Sequence, residues 1–184
     1  MKTLIFNGSP RKNGDTMTLI NEFIKHLDGE YKIIDAYNCN IMPCIDCRYC
    51  WKNKGCCHND EMQKVYDYIQ ECDNIIIASP LYFSQLTGQL LAITSRFQTY
   101  YCARFFRKEV PIAKSKRGGV ILVGGGDRNF EGAYNMACSL LHHMNSKTIN
   151  PAIYTYNTNN IPSKDNNIAM KGVKNLALLF NKHT

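Results

Sequence analysis

Two stretches of this chain concentrate side chains that can do chemistry. The first, CIDCRYCWKNKGCC over residues 44–57, places five cysteines in fourteen positions. Thiols at this density hold a metal cluster, staple a loop or carry out chemistry of their own, and the stretch alone leaves all three open. The second, NGSPRKNGDT over residues 7–16, joins Gly8 and Gly14 to the hydroxyls of Ser9 and Thr16 and the guanidinium of Arg11. Glycines admit close backbone approach, and a helix opening at Asp15 adds free amides and partial positive charge. Such a loop is built for an anion. No lysine follows Gly14, so GxxxxGK[ST] fails, and GxGxxG fails both here and at residues 124–129.

An anion loop needs a strand to deliver it and a helix to receive it. Residues 2–7 read as that strand and 15–28 as that helix, with Met17, Leu19, Ile20, Phe23, Ile24 and Leu27 at helical spacing. A second strand is expected at 32–37. The cysteine-rich segment, about 39–59, follows as a long loop. Residues 60–71 read as a helix opened by Asp60 and Glu61, whose charges suit an N-terminus. NIIIAS at 74–79 is the continuous apolar run of a parallel strand buried on both faces. A helix over 86–103, a strand over 118–124, a helix near 131–144 and a strand near 148–156 come next. The last helix, about 165–182, carries Ile168, Val173, Leu176, Leu179 and Phe180. Five strands alternating with helices mean βαβ units, right-handed crossovers and an α/β, doubly wound sheet. No repeat or linker interrupts the sequence, so residues 1–184 are expected to form one domain.

Composition narrows the class. A 45% hydrophobic, 20% charged chain is an ordinary globular mixture. No apolar run reaches the length of about 18 residues that crosses a bilayer. The N-terminus, MKTLIFNGSP, runs from a short strand into a glycine turn, unlike a secretory signal. The expected setting is a reducing cytoplasm, where disulfides are uncommon, and an odd count of nine cysteines also argues against a purely disulfide framework. The net charge of +7 suits an anionic ligand. The six basic residues between Arg104 and Arg117 read as a solvated helix end and loop. Without a stacking motif or recognition helix, nucleic acid is not an expected partner.

The loop at residues 8–16 resembles the G-S-P-R-x-x-G-N-T phosphate loop of the flavodoxin-like NAD(P)H-dependent FMN reductases, in particular their iron–sulfur flavoprotein branch. The likeness spans nearly the whole chain. It implies a five-stranded parallel sheet in the order 2-1-3-4-5, flanked by helices, with Ser9, Arg11, Gly14, Asp15 and Thr16 around the FMN phosphate. Asp15 replaces the usual asparagine, and its carboxylate must turn away from a phosphate. SPLYF, at 79–83, resembles the family segment that lies against the isoalloxazine, which implicates Pro80, Leu81, Tyr82, Phe83 and Ser84. Leu81 and Phe83 read equally as core residues. Gly124, Gly125, Gly126 and Asp127 resemble the third flavin loop. Arg96 matches a family arginine and reads as structural or functional alike.

Within the branch, Cys44, Cys47, Cys50 and Cys56 have the spacing that implies a [4Fe–4S] cluster. Relatives with a metal-free lid share the C-W-K segment, and there Trp51 would pack on the flavin or across a dimer interface. Zinc or redox-labile thiols are the third alternative. Cys39 and Cys57 are spare sulfurs, Cys72, Cys102 and Cys138 are expected to be buried, and His58 solvated. The resemblance implies an enzyme passing reducing equivalents from NAD(P)H through FMN to a small-molecule or redox-protein acceptor, and a homodimer or larger assembly. The alternative is an iron–sulfur/FMN electron carrier reduced by a ferredoxin-like partner. No catalytic acid or base is assigned; Tyr82 and Asp127 are the polar candidates beside the ring.

Overall fold

The computed structural model describes residues 1–126 and 129–182. Strand β1 (Lys2–Asn7) pairs in parallel with β2 (Glu30–Asp35) on one side and β3 (Asn74–Pro80) on the other. Strand β4 (Lys116–Val123) continues the sheet from β3. The order is β2-β1-β3-β4-β5, as expected. The fifth position differs: β5 (Ser146–Thr148) and β6 (Ile153–Thr155) each pair with β4, in place of one strand over 148–156. Pro151 lies between them, and a proline has no N–H to continue the ladder.

Alternation along the strands separates two cores. Leu4, Phe6, Ile75, Ile77, Val120 and Leu122 face one side, under α3 (Met62–Glu71), α4 (Gly88–Thr94), α5 (Gln98–Phe105) and α6 (Glu131–His143). Ile5, Ile76, Ala78, Ile121 and Val123 face the other, under α1 (Asp15–Lys25) and α7 (Asn167–Phe180). This two-sided burial explains why β3 reads as an unbroken apolar run. A short helix, α2 (Tyr49–Lys52), sits inside the cysteine-rich loop.

Two expected helices are corrected. The 86–103 helix is broken into α4 and α5 by a 3₁₀ turn, Ser95–Phe97. Thr94 Oγ1 donates to the Leu90 carbonyl at 2.7 Å and Ser95 Oγ to that of Ala92 at 2.5 Å, the back-bonding that bends helices. In α7 the buried stripe is Ala169, Val173, Leu176, Ala177 and Phe180, whereas Ile168 is 85% exposed and Leu179 39%. Small alanines allow close approach to α1, so packing selects a face that side-chain size alone does not indicate.

Candidate functional site

Strand β1 ends by folding its own turn. Asn7 Oδ1 accepts from Ser9 N at 2.9 Å, and Ser9 Oγ accepts from Arg11 N at 3.2 Å. Gly14 N then donates to the Arg11 carbonyl at 3.3 Å and enters α1 in an extended conformation, with no side chain capping the helix. The first amides of α1 are thus left for an external acceptor. Ser9 and Thr16 are buried, whereas Arg11 is exposed. Asp15 Oδ1 accepts from Ser163 N at 2.6 Å, which points the carboxylate at the chain ahead of α7. Gly8 serves a different purpose: a Cβ there would lie 2.9 Å from Leu90 Cδ2, Ser79 Oγ and Thr87 Oγ1. It lets the loop pack down on α4.

A cleft of about 180 Å³ opens over this loop. It is lined by Ser9, Pro10, Arg11, Gly14, Asp15 and Thr16, by Pro80, Leu81 and Tyr82 after β3, and by Val123 and Gly125 after β4. The position, at the C-terminal edge where strand order reverses between β1 and β3, is where open α/β sheets bind ligands. Gly124 and Gly126 flank Gly125 without lining the cleft, and Asp127 falls outside the described residues.

Phe83 and Ser84 do not line it either. Tyr82 and Gln85 exchange backbone hydrogen bonds at 3.0 Å, closing a two-residue turn whose centre is Phe83 (φ 52°) and Ser84 (φ 61°). Positive φ at both centres is the geometry of a type I′ turn, normally filled by Asn and Gly. Ala133 N donates to the Ser84 carbonyl at 3.1 Å and holds the turn against α6. Phe83 is wholly exposed at its tip, so it is no core residue.

Two lining residues escaped sequence reasoning. Thr158 and Asn159 reach the cleft from the turn after β6. Their backbone amides donate to the Gly124 and Gly125 carbonyls at 3.1 and 3.3 Å, and the Asn159 side chain packs where a Gly125 Cβ would stand. The asparagine-rich stretch after the last strand, at the same sheet edge, was the available signal.

The cysteine-rich loop is pinned by groups from the 3₁₀ turn, from α5 and from the chain just after α5. Cys44 N donates to Ser95 Oγ at 2.9 Å, Thr99 Oγ1 to the Gly55 carbonyl at 2.9 Å, and Arg107 Nη1 to the Cys50 carbonyl. Arg96 is structural: fully buried, it bonds Asp60 at 2.7 Å and the Met42 carbonyl at 2.8 Å. Burial pushes the Asp60 carboxyl up, but Arg96 and the amides of Met42 and Met62 outweigh it and hold it below its ordinary value. Trp51 stacks on Phe106 at 4.3 Å with the Arg48 guanidinium 4.9 Å from its ring, so its partner within the chain is Phe106 and it does not line the cleft.

Four of the sulfurs form two pairs, Cys47 with Cys57 and Cys50 with Cys102. Cys47 and Cys57 stand 3.0 Å apart, both exposed. Their mutual hydrogen bond lowers the Cys47 thiol and raises that of Cys57 to about 11. Cys50 is pushed up to about 12 by burial and then by its bond with Cys102. The cavity lined by Cys44, Cys47, Cys50, Cys56 and Cys57 measures about 20 Å³, room for about one water and not for a cubane. Among the described residues no group of three or more His, Cys, Asp or Glu is placed to hold a metal ion. The four motif cysteines therefore do not fit a cluster as they stand. Cys72 and Cys102 are buried as expected, but Cys138 is only half-buried, and His58 is half-buried with Nε2 lacking a hydrogen bond.

Doubly wound sheet and loop-lined cleft together define a flavodoxin-like fold. Over residues 1–160 the sequence matches the profile of the NADPH-dependent FMN reductases, and the chain belongs to that family. It is an oxidoreductase of the FMN-dependent class. An iron–sulfur flavoprotein of Methanocaldococcus jannaschii is 33% identical over 146 residues, 77% of this chain and 69% of that protein. A Bacillus subtilis protein provisionally named an NAD(P)H-dependent FMN-containing oxidoreductase is 27% identical over 72% of this chain and 71% of its own. Other curated iron–sulfur flavoproteins are matched over 49%, 60% and 62% of their lengths. Among solved structures, the NAD(P)H:quinone oxidoreductase of Methanothermobacter marburgensis superposes with a TM-score of 0.75 at 15% identity, covering 100% of this chain and 98% of its own, a likeness of fold. Among the described residues, no helix is long and apolar enough to cross a membrane.

Proposed function

We propose that the 180 Å³ cleft binds FMN, with its phosphate on the loop at 9–16, and that the chain passes reducing equivalents from NAD(P)H to an acceptor. The observation that carries this reading is the engagement of Asp15 Oδ1 by the Ser163 amide, which occupies one oxygen of the loop's carboxylate. With one oxygen of that carboxylate engaged by Ser163, the loop's remaining groups are mainly donors: Arg11, the buried hydroxyls of Ser9 and Thr16, and the uncapped amides of α1. Pro80 and Leu81 supply apolar wall, and Gly125 presents backbone beside them. Thr158 and Asn159 add polar groups on the β6 side. Bound FMN would supply the hydride-accepting and electron-donating chemistry, while the chain binds and orients it.

One terminal phosphate and no dinucleotide fingerprint favour FMN over FAD. Titrating flavin-free protein with each cofactor tests this: FMN should bind the tighter, and a preference for FAD would refute the site. Steady-state NADH and NADPH oxidation with an artificial acceptor then tests the activity.

The second reading, a carrier holding FMN and a [4Fe–4S] cluster and reduced by a ferredoxin-like partner, is favoured by the iron–sulfur flavoprotein relatives. It requires Cys47 and Cys50 to leave Cys57 and Cys102 and to converge with Cys44 and Cys56. Nicotinamide oxidation separates the two readings, since a carrier shows none. In both, the chain is cytoplasmic and assembles as a homodimer or larger through the aromatic surface around α5.

A further inference from the structure

The cluster motif groups Cys47 with Cys56, but the structure sets Cys47 against Cys57. We propose that Cys47 and Cys57 form a thiol–disulfide exchange site that closes to an intramolecular disulfide on reaction with a small-molecule disulfide. Their sulfurs are 3.0 Å apart, about 1 Å beyond an S–S bond of ~2.05 Å, so closure needs only a small shift of two exposed side chains.

The backbone creates the meeting. Cys47 lies between Asp46 (φ 49°) and Arg48 (φ 60°), two left-handed residues that turn the chain sharply on either side of it. Gly55 (φ 78°) makes the corresponding turn just ahead of Cys57. Ser95, Arg107 and Thr99 fix the chain at Cys44, Cys50 and Gly55. The loop holds few ways to separate the two thiols once these anchors are made. Access also favours this pair, because exchange requires a disulfide to reach the attacking sulfur. Cys56 packs against the core and Cys50 is half-buried beside Cys102, whereas Cys47 and Cys57 both face solvent.

The reaction balances with the disulfide RSSR as oxidant. One protein thiolate attacks RSSR, forming a mixed disulfide and releasing RS⁻. The second protein thiol, as its thiolate, attacks the protein sulfur of that bond and releases the second RS⁻. Each RS⁻ takes up one of the two protons given up by the protein. The chain loses two electrons and two protons, and RSSR becomes two RSH.

The test uses the full chain, purified without oxygen and assayed for iron. It is incubated with oxidised glutathione, blocked with N-ethylmaleimide and mapped by peptide mass spectrometry. We expect the loss of two blockable thiols, a single crosslink joining Cys47 to Cys57, and its reversal by dithiothreitol. Cys57→Ser should instead retain glutathione on Cys47, while Cys56→Ser should close as the parent does. Circular dichroism of each variant confirms its fold. Closure through Cys56 or Cys50, thiols that all stay blockable, an internal crosslink persisting in Cys57→Ser, or protection of Cys47 by bound iron would each overturn the proposal.

Discussion

Arg11 and Arg96 show how one residue type serves two ends. Arg11 is exposed at the cleft with its guanidinium free to meet a phosphate, so its loss should weaken ligand binding without unfolding the chain. Arg11→Ala is expected to weaken FMN binding by roughly 1.5–3 kcal/mol, the worth of a charge-assisted hydrogen bond, in a fluorescence titration. Arg96 is buried and held by Asp60, so removing the carboxylate strands a charge in the core. Asp60→Ala should cost about 3–5 kcal/mol of unfolding free energy in denaturant titration. The same pair sets a pH dependence. The folded Asp60 pKa lies below the unfolded value of about 3.9, so its stabilisation is complete above that value and drains away as pH falls through the folded pKa. Acid titration of Asp60→Ala should therefore lack a loss of stability that the parent shows below about pH 4.

The loops between elements are set by what they pack on. A methyl group at Gly8 meets three atoms at 2.9 Å, one on Ser79 in β3, one on Thr87 just ahead of α4, and one on Leu90 within α4. Gly8→Ala should lower stability by about 1–3 kcal/mol through overpacking. Gly88, at the start of α4, has nothing within 4 Å, and Gly88→Ala should raise stability by about 0.4–1 kcal/mol by restricting the unfolded chain. Thermal melts of the two variants should move in opposite directions. The basic stretch after α5 is also explained by its neighbours, and it is not simply solvated. Lys114 pairs with Asp73 at 2.6 Å, Arg107 with Glu109 at 3.1 Å, and Arg117 donates to the last carbonyls of α7. Those charges are engaged within the fold, and the +7 of the chain does not gather there into a ligand site.

At the scale of the molecule, the aromatic segment at 97–106 divides. Phe97 and Tyr100 are 2% and 5% exposed, so the surface aromatics of this segment are Tyr101, Phe105 and Phe106, with Trp51 beside them. Phe105 remains 55% exposed and Phe106 47%. Burying a phenylalanine contributes roughly 1.5–3 kcal/mol, so Phe105→Asp should weaken self-association by about tenfold to a hundredfold. Light scattering at micromolar protein should find an oligomer for the parent and a lower mass for the variant. A monomeric parent would remove the basis for an assembled state.

The strands and the turn after β1 were legible because their signals are local and contiguous, whereas the strand order came from the family resemblance. Apolar runs mark β1, β3 and β4, and residues 7–16 carry glycine, hydroxyl and guanidinium in one stretch. What the sequence left open depends on partners far along the chain. Asp15 has one carboxylate oxygen occupied because Ser163, 148 positions away, donates to it. Trp51 has Phe106 as its partner, and Cys47 finds Cys57 instead of Cys56, because anchors from the 3₁₀ turn and α5 fix the loop's course. The buried face of α7 was likewise chosen by fit against α1 and the sheet. Residue type and spacing specify which groups are available to react, but which of them meet is decided by close packing, which only the folded chain possesses.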